Sequence, residues 1–204
     1  MKSGTSFFAL LVLLAVAVPA GLAAPVAARP EGAPPLVFVT PERLAEIRGL
    51  AGRPGSVHAE ILAAMRARIE PGDPLAVEGS YPNYRRAFFA REAAWLYLVT
   101  GEEKFARLAY FALRDVYDST SPADTARPDG GSGLQRAQTL SAFAMAWNWA
   151  WAGWTPEQRA WVEEKIRAGL DDYAKALKHP NIRSPHVSNW NGVVAGGHII
   201  ALAA

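Results

Sequence analysis

From residue 41 onward, apolar side chains recur every three or four positions, the spacing that lays them along one face of an α-helix. A first helix is predicted over 41–50, opened by Thr40 as N-cap, Pro41 in the first turn and the acid Glu42 behind it. A second spans 57–69, with Val57, Ile61, Met65 and Ile69 expected on one packed face. The third, 84–99, is apolar nearly all round (Phe88, Phe89, Ala93, Trp95, Leu96, Leu98), which predicts burial on several sides. Thr100-Gly101 ends it with Gly as a left-handed cap, and Glu102 and Glu103 suit the positive start of a fourth helix. That helix carries two stripes, Phe105-Leu108-Ala112-Val116 and Tyr110-Leu113-Tyr117, and therefore needs two packing partners. A fifth is predicted over 134–151. Thr155-Pro-Glu-Gln158 is a capping box at the head of a sixth, whose apolar face is Val162, Ile166, Leu170, Tyr173 and Leu177. A seventh begins at Asn189.

Only the short extended run Leu36-Val-Phe-Val39 departs from this helical pattern, and it precedes the first helix. Helices joined by short turns lie antiparallel. The chain is therefore read as all-α, a series of antiparallel αα-hairpins. Helices apolar on two sides imply layers, as in a bundle, a solenoid or a closed (α/α) toroid, and the pattern does not choose among these. The last run, Ile199-Ile-Ala-Leu-Ala-Ala204, carries no cap and no terminal basic residue. It predicts that 41–204 is the N-terminal part of a larger helical domain.

The segment ahead of the helices changes the compartment. Lys2, the charge-free core from Phe7 to Val18 and the small residues after Pro19 predict a signal peptide over 1–28, cleaved near Ala23 or Ala28. Pro19 and Pro25 break the run short of the ~20 apolar residues a bilayer requires, so no stable membrane association is expected after cleavage. The protein is expected to be secreted or periplasmic, with 29–40 as a linker. It has no cysteine, so an exported chain of this size must rely on its core rather than on disulfides. Half of its residues are apolar and seven are tryptophan, enough for a large core. A net charge of only +2 with no Lys/Arg cluster gives no reason to expect a nucleic-acid partner.

Candidate chemistry is sparse. The four histidines, His58, His179, His186 and His198, lack ligand spacing, so no metal and no other cofactor is expected. Phosphate-binding glycine loops and nucleophile elbows are absent. Asp171 and Asp172 are adjacent on a helix and diverge, so they cannot act as a carboxylate pair. The informative stretch is Ser184-Pro-His-Val-Ser-Asn-Trp-Asn-Gly192, at a loop-to-helix junction. Ser188 or Asn189 suffices as a cap, Trp190 as a staple into the core, and Gly192, Gly196 and Gly197 permit close helix packing. That reading leaves the amides at both 189 and 191 and the neighbouring His186 without a purpose.

Asn189-Trp190-Asn191-Gly192 followed by Val-Val-Ala-Gly-Gly resembles the corresponding segment of heparinase II/III-like and alginate-lyase-like polysaccharide lyases. Leu36-Val-Phe-Val-Thr-Pro-Glu-Arg-Leu44 resembles the start of their helical domain. Leu96-Tyr-Leu-Val-Thr-Gly-Glu-Glu-Lys-Phe105 resembles a hairpin turn of their toroids, a turn that other (α/α) toroid enzymes share. Ala144-Met-Ala-Trp-Asn-Trp149 and Trp154-Thr-Pro-Glu-Gln-Arg159 resemble their next hairpin. The resemblance implies that 41–204 is part of an incomplete (α/α) toroid, and that the chemistry is β-elimination on a uronic-acid polysaccharide. An amide must bind the sugar carboxylate and stabilise the enolate-like charge, a base must take the C5 proton, and an acid must protonate the departing O4. By match, Asn189 is the first candidate for the amide and Asn191 the second. Many alginate-lyase-like relatives have His directly after the Asn; here that position is Trp190, whose indole is no base, and His186 is the nearby substitute. Tyr84, Gln135, Arg136, Trp147 and Trp190 are the candidate contacts to an acidic polysaccharide or oligosaccharide. Two other readings stay open. One is a toroid glycoside hydrolase, for which Glu78 and Asp129 are the only loop acids to nominate. The other is a non-catalytic glycan-binding protein of the same fold.

Overall fold

The structure, a computed structural model, describes residues 31–73, 82–118, 134–176 and 189–204. At 82–84, 134–135, 172–176 and 189–194 it describes the backbone alone. The predicted signal peptide, Glu78, Asp129, His179 and His186 lie outside the described residues. Seven α-helices form among those described, with no strand: α1 (Pro41–Ala51), α2 (Val57–Ile69), α3 (Pro82–Thr100), α4 (Glu103–Asp118), α5 (Leu134–Ala150), α6 (Pro156–Ala176) and α7 (Asn189–Ala203). One 3-10 turn, Trp151–Gly153, links α5 to α6.

The ends of these helices follow the local chemistry. The Thr40 hydroxyl accepts from the Arg43 amide at 3.2 Å, and Ser56 does the same for Ala59 at 3.1 Å. At the head of α6 the capping box closes in both directions: the Gln158 amide donates to Thr155 at 3.3 Å, and the Thr155 amide to the Gln158 side chain at 2.9 Å. Gly101 takes φ +74° between α3 and α4, the left-handed turn that only glycine adopts without strain.

Those ends set the hairpins. α3 and α4 fold back on each other, and the Arg86 Nε to Asp115 carboxylate pair at 2.8 Å joins the start of one to the end of the other. α5 and α6 are antiparallel as well. Arg136 donates to the Gly169 carbonyl at 3.0 Å, and the Trp147 indole to the Arg159 carbonyl at 3.2 Å. α7 then runs parallel to α5. A Cβ placed on Gly197 would lie 2.3 Å from the Ala137 carbonyl oxygen, and further along Asn148 donates to the Ala204 carbonyl at 3.4 Å. α4 meets the α5–α6 hairpin in the opposite sense. Trp154 donates to the Ala106 carbonyl near the start of α4 at 2.8 Å, while Tyr117 near its end packs on Phe143 with ring centroids 5.9 Å apart. So α3, α5 and α7 lie side by side pointing one way, and α4 and α6 cover them pointing the other.

Between the layers sits the main core, with Phe89, Leu96, Phe105, Leu113, Leu140 and Phe143 fully buried. Small residues dominate the rest of it, including Ala90, Ala93, Ala94, Ala109, Ala142 and Ala146, which lets the helix axes approach closely. Both stripes foreseen on α4 are used: Phe105, Ala112 and Val116 are buried, and so is Leu113 between the half-buried Tyr110 and Tyr117. A second, smaller cluster of Val39, Leu44, Leu98 and Val99 seats the leading segment and α1 on α3.

Two local expectations change. The face Val57-Ile61-Met65-Ile69 is not buried along its length: Val57 is 66% and Ile61 54% exposed, while Ile69 is buried and Met65 packs on the core. α2 meets the core through Leu62, Met65 and Ile69, a face turned away from Val57 and Ile61. The run 36–39 is not extended throughout either, because Phe38 has φ +67° and turns its side chain outward, 68% exposed, between the buried Val37 and Val39.

Candidate functional site

Because α3, α5 and α7 are parallel, their first turns lie at the same end of the layer. Those turns hold most of the candidate residues: Tyr84 in α3, Gln135 and Arg136 in α5, and Asn189, Trp190 and Asn191 in α7. Gly197 beside Ala137 fixes the stagger. α7 begins about 7 Å further out along the shared axis than α5, at 1.5 Å per residue. The end of α6 overhangs on the same side, since Gly169 is level with Arg136 and the helix continues to Ala176. The candidates therefore surround a step: α7's opening turn above, those of α3 and α5 below.

The electrostatics of that end follow from the backbone. Each helix start carries partial positive charge on amides that have no partner within the helix, and three such starts act together. Arg85, half-buried, adds a guanidinium group at the head of α3, whereas the buried Arg86 beside it is paired with Asp115. The ends of α4 and α6, with Asp115 and Asp118, bring the opposite sign to the covering layer. An anionic group thus finds its favourable field on the side of α3, α5 and α7.

Two candidates have structural tasks. Arg136 is 5% exposed, and its Nη2 donates to the Gly169 carbonyl, tying α5 to α6. Trp147 is not part of the gathering. It stands at the opposite end of α5, half-buried, with its indole bonded to the Arg159 carbonyl. Its neighbours are also engaged: Trp149 donates to the Val37 carbonyl at 3.1 Å and Trp154 to that of Ala106. The tryptophans of this region tie the end of α5 and the turn after it to α6, to the leading segment and to α4. For Tyr84, Gln135, Asn189, Trp190 and Asn191 the helix positions are described, and His186 lies outside the described residues.

Two buried polar groups near this end have no counterpart in the sequence reading. Thr139 is fully buried one turn into α5, and its hydroxyl has no hydrogen-bond partner among the described residues. His198 is buried on α7, next to the Gly197 that rests against α5. Neither residue carries a motif, and their burial follows only from the packing of α7 against α5. Among the described residues no group of three or more His, Asp or Glu could hold a metal ion, and no helix is long and apolar enough to cross a membrane. No protein-family model, no curated protein and no solved structure matches this chain.

Proposed function

We propose that this chain is the N-terminal helical part of a secreted polysaccharide lyase that cleaves uronic-acid-containing glycans by β-elimination. One observation carries the reading: three parallel helices begin at one end of the layer, and the candidate amides Asn189 and Asn191 stand in the outermost of those first turns. A uronate carboxylate at that end meets helix-start amides and the charge of the half-buried Arg85. An amide bound to the carboxylate stabilises the enolate-like charge that forms when the C5 proton leaves. The C5–H electron pair then forms the C4–C5 double bond, and O4 departs with a proton supplied by an acid. Asn suits the first task because it donates without holding the anionic ground state as tightly as a cation would. Trp190 cannot take the C5 proton, and His186 is the residue nominated for it. Closure of the hairpins into a toroid belongs to the same proposal.

The test uses the complete product of the gene, incubated with alginate, heparan sulfate, chondroitin and hyaluronan while near-ultraviolet absorbance of the unsaturated uronate is followed. Asn189→Ala should lower kcat by about 10²- to 10³-fold, the usual loss of one donor to a developing oxyanion. The effect on KM should be smaller. New reducing ends without absorbance would replace elimination by hydrolysis. Binding of these glycans with neither product, a reading that Trp190 in the place of a base favours, would make the protein a glycan-binding relative.

A further inference from the structure

Leu62, Met65 and Ile69 turn one side of α2 onto the core. The opposite side faces water and is made of Val57, Glu60, Ile61, Ala64, Ala67 and Arg68, all exposed. Spacings of three and four put these residues on one face, with Ala64 at its middle. Val57 is 66% and Ile61 54% exposed, so two branched apolar side chains stand together in water. Ala64 and Ala67 continue the apolar strip without bulk. The face carries one charge of each sign. Glu60 precedes Ala64 by four residues and Arg68 follows it by four, so each lies about 6 Å from Ala64 along the helix. Arg68 pairs with Glu92 of α3 while half of its side chain stays exposed, and Glu60 has no ion pair among the described residues. The other ionic side chains of this helix and its end, Arg66 and Glu70, point away from the face and are engaged with Glu102 and Lys104.

We infer that this face is where two copies of the chain meet, α2 against α2, antiparallel about a two-fold axis at Ala64. The placement of the charges selects both the second copy and the orientation. Reversing one helix about Ala64 brings Glu60 of each copy level with Arg68 of the other, so the contact closes with two ion pairs and opposes no like charges. A parallel pairing would set Glu60 against Glu60 and Arg68 against Arg68. The apolar residues fit the same register. Ala64 meets Ala64, where small side chains let the axes approach. Ile61 of each copy comes level with Ala67 of the other, a large residue against a small one, and Val57 with the exposed Pro71. A face complementary to itself closes as a dimer and leaves no repeat to extend. One helix face is smaller than the roughly 800 Å² per partner of a standard interface, so the dimer is weak and reversible. No part of this inference rests on the proposed lyase activity.

Sedimentation of the full protein over a range of concentrations tests it. The average mass should rise from one chain towards two, and no higher, as concentration approaches about 1 mM. Ala64→Arg puts bulk and charge at the two-fold axis on an exposed position, and should leave monomer throughout. Glu60→Arg and Arg68→Glu should each weaken association about tenfold, the scale of two exposed ion pairs reversed in sign. Mixed in equal amounts, these two variants should associate as the parent does, because both pairs are then of opposite sign again. Thermal unfolding of each variant checks that the fold is intact. Should Arg68→Glu unfold through loss of its Glu92 partner, Ala64→Arg and Glu60→Arg decide the matter. A parent protein that stays monomeric overturns the inference, whatever else binds the α2 face. So does a dimer that survives Ala64→Arg, since it must form through another surface. A mixture of two folded charge variants that associates no better than either alone also overturns it, because the contact is then not antiparallel about Ala64.

Discussion

At the scale of single residues, two neighbouring glycines behave differently. The stretch after Asn191 offers Gly192, Gly196 and Gly197 as sites of close packing, and nothing in the sequence ranks them. Gly197 lies against the α5 backbone, where a Cβ would sit 2.3 Å from the Ala137 carbonyl oxygen, and backbone cannot move aside as a flexible side chain does. Around Gly196 nothing stands within 4 Å. Gly197→Ala is therefore expected to destabilise the protein by about 1–3 kcal/mol through overpacking. Gly196→Ala should be neutral or stabilising by up to about 1 kcal/mol, as alanine replaces glycine within a helix. Urea unfolding of both variants checks this, and equal effects would mean that α7 does not rest on α5 at Ala137. A glycine's type is legible in sequence; the neighbour that makes it necessary belongs to another helix.

Individual elements were the most legible part of the chain. The bounds of α2 and the starts of α1, α6 and α7 match the sequence pattern, because caps, prolines and acids act within one turn of the helix they begin. The face of α2 was misread for a related reason. Periodicity says which residues share a side, but not which side the neighbour covers, so Val57 and Ile61 remain in water. Where α2 does meet α4, charge takes over. Lys104 binds Glu70 at 2.8 Å and Glu102 at 3.2 Å, and Arg66 pairs with both acids. The Lys104 hydrogen bond, followed by the charges of Lys104 and Arg66, holds the Glu70 carboxyl below its ordinary value of 4.5. For Glu102, burial pushes upward, but hydrogen bonds from Arg66 and Lys104 outweigh it and the net shift is again downward. Carboxylates whose pKa is lower in the folded state contribute stability above the unfolded value and lose it as pH falls through the folded one. The melting temperature should accordingly hold at neutral pH and fall from about pH 5 towards pH 3. Glu70→Gln/Glu102→Gln should flatten that acid limb; if it leaves the limb unchanged, the network does not stabilise the fold.

For the whole molecule, an all-α fold of hairpins was readable, and the side-by-side order of α3, α5 and α7 was not. Helical periodicity carries no record of which hairpin lies beside which. The grouping of Tyr84, Gln135 and Arg136 with Asn189 and Asn191 at one end therefore needed the three-dimensional arrangement, and so did the separation of Trp147 from them. The same holds for Asn148, whose amide appears in sequence only as a polar residue between two tryptophans. Fully buried in α5, it accepts from the Val37 amide at 3.0 Å and donates to the Pro35 carbonyl at 2.8 Å and to that of Ala204 at 3.4 Å. One side chain thus joins the segment before α1 to the last turn of α7. The Val37 N–H, although outside any helix, should resist hydrogen exchange as strongly as the core amides of α5, because it is released only when the junction around Asn148 opens. In Asn148→Ala it should exchange at the rate of an ordinary loop amide, and rapid exchange already in the parent protein would refute the link. The two most distant parts of the described chain then form one cooperative unit, so a proteolytic nick or a pulling force at either is felt at the other.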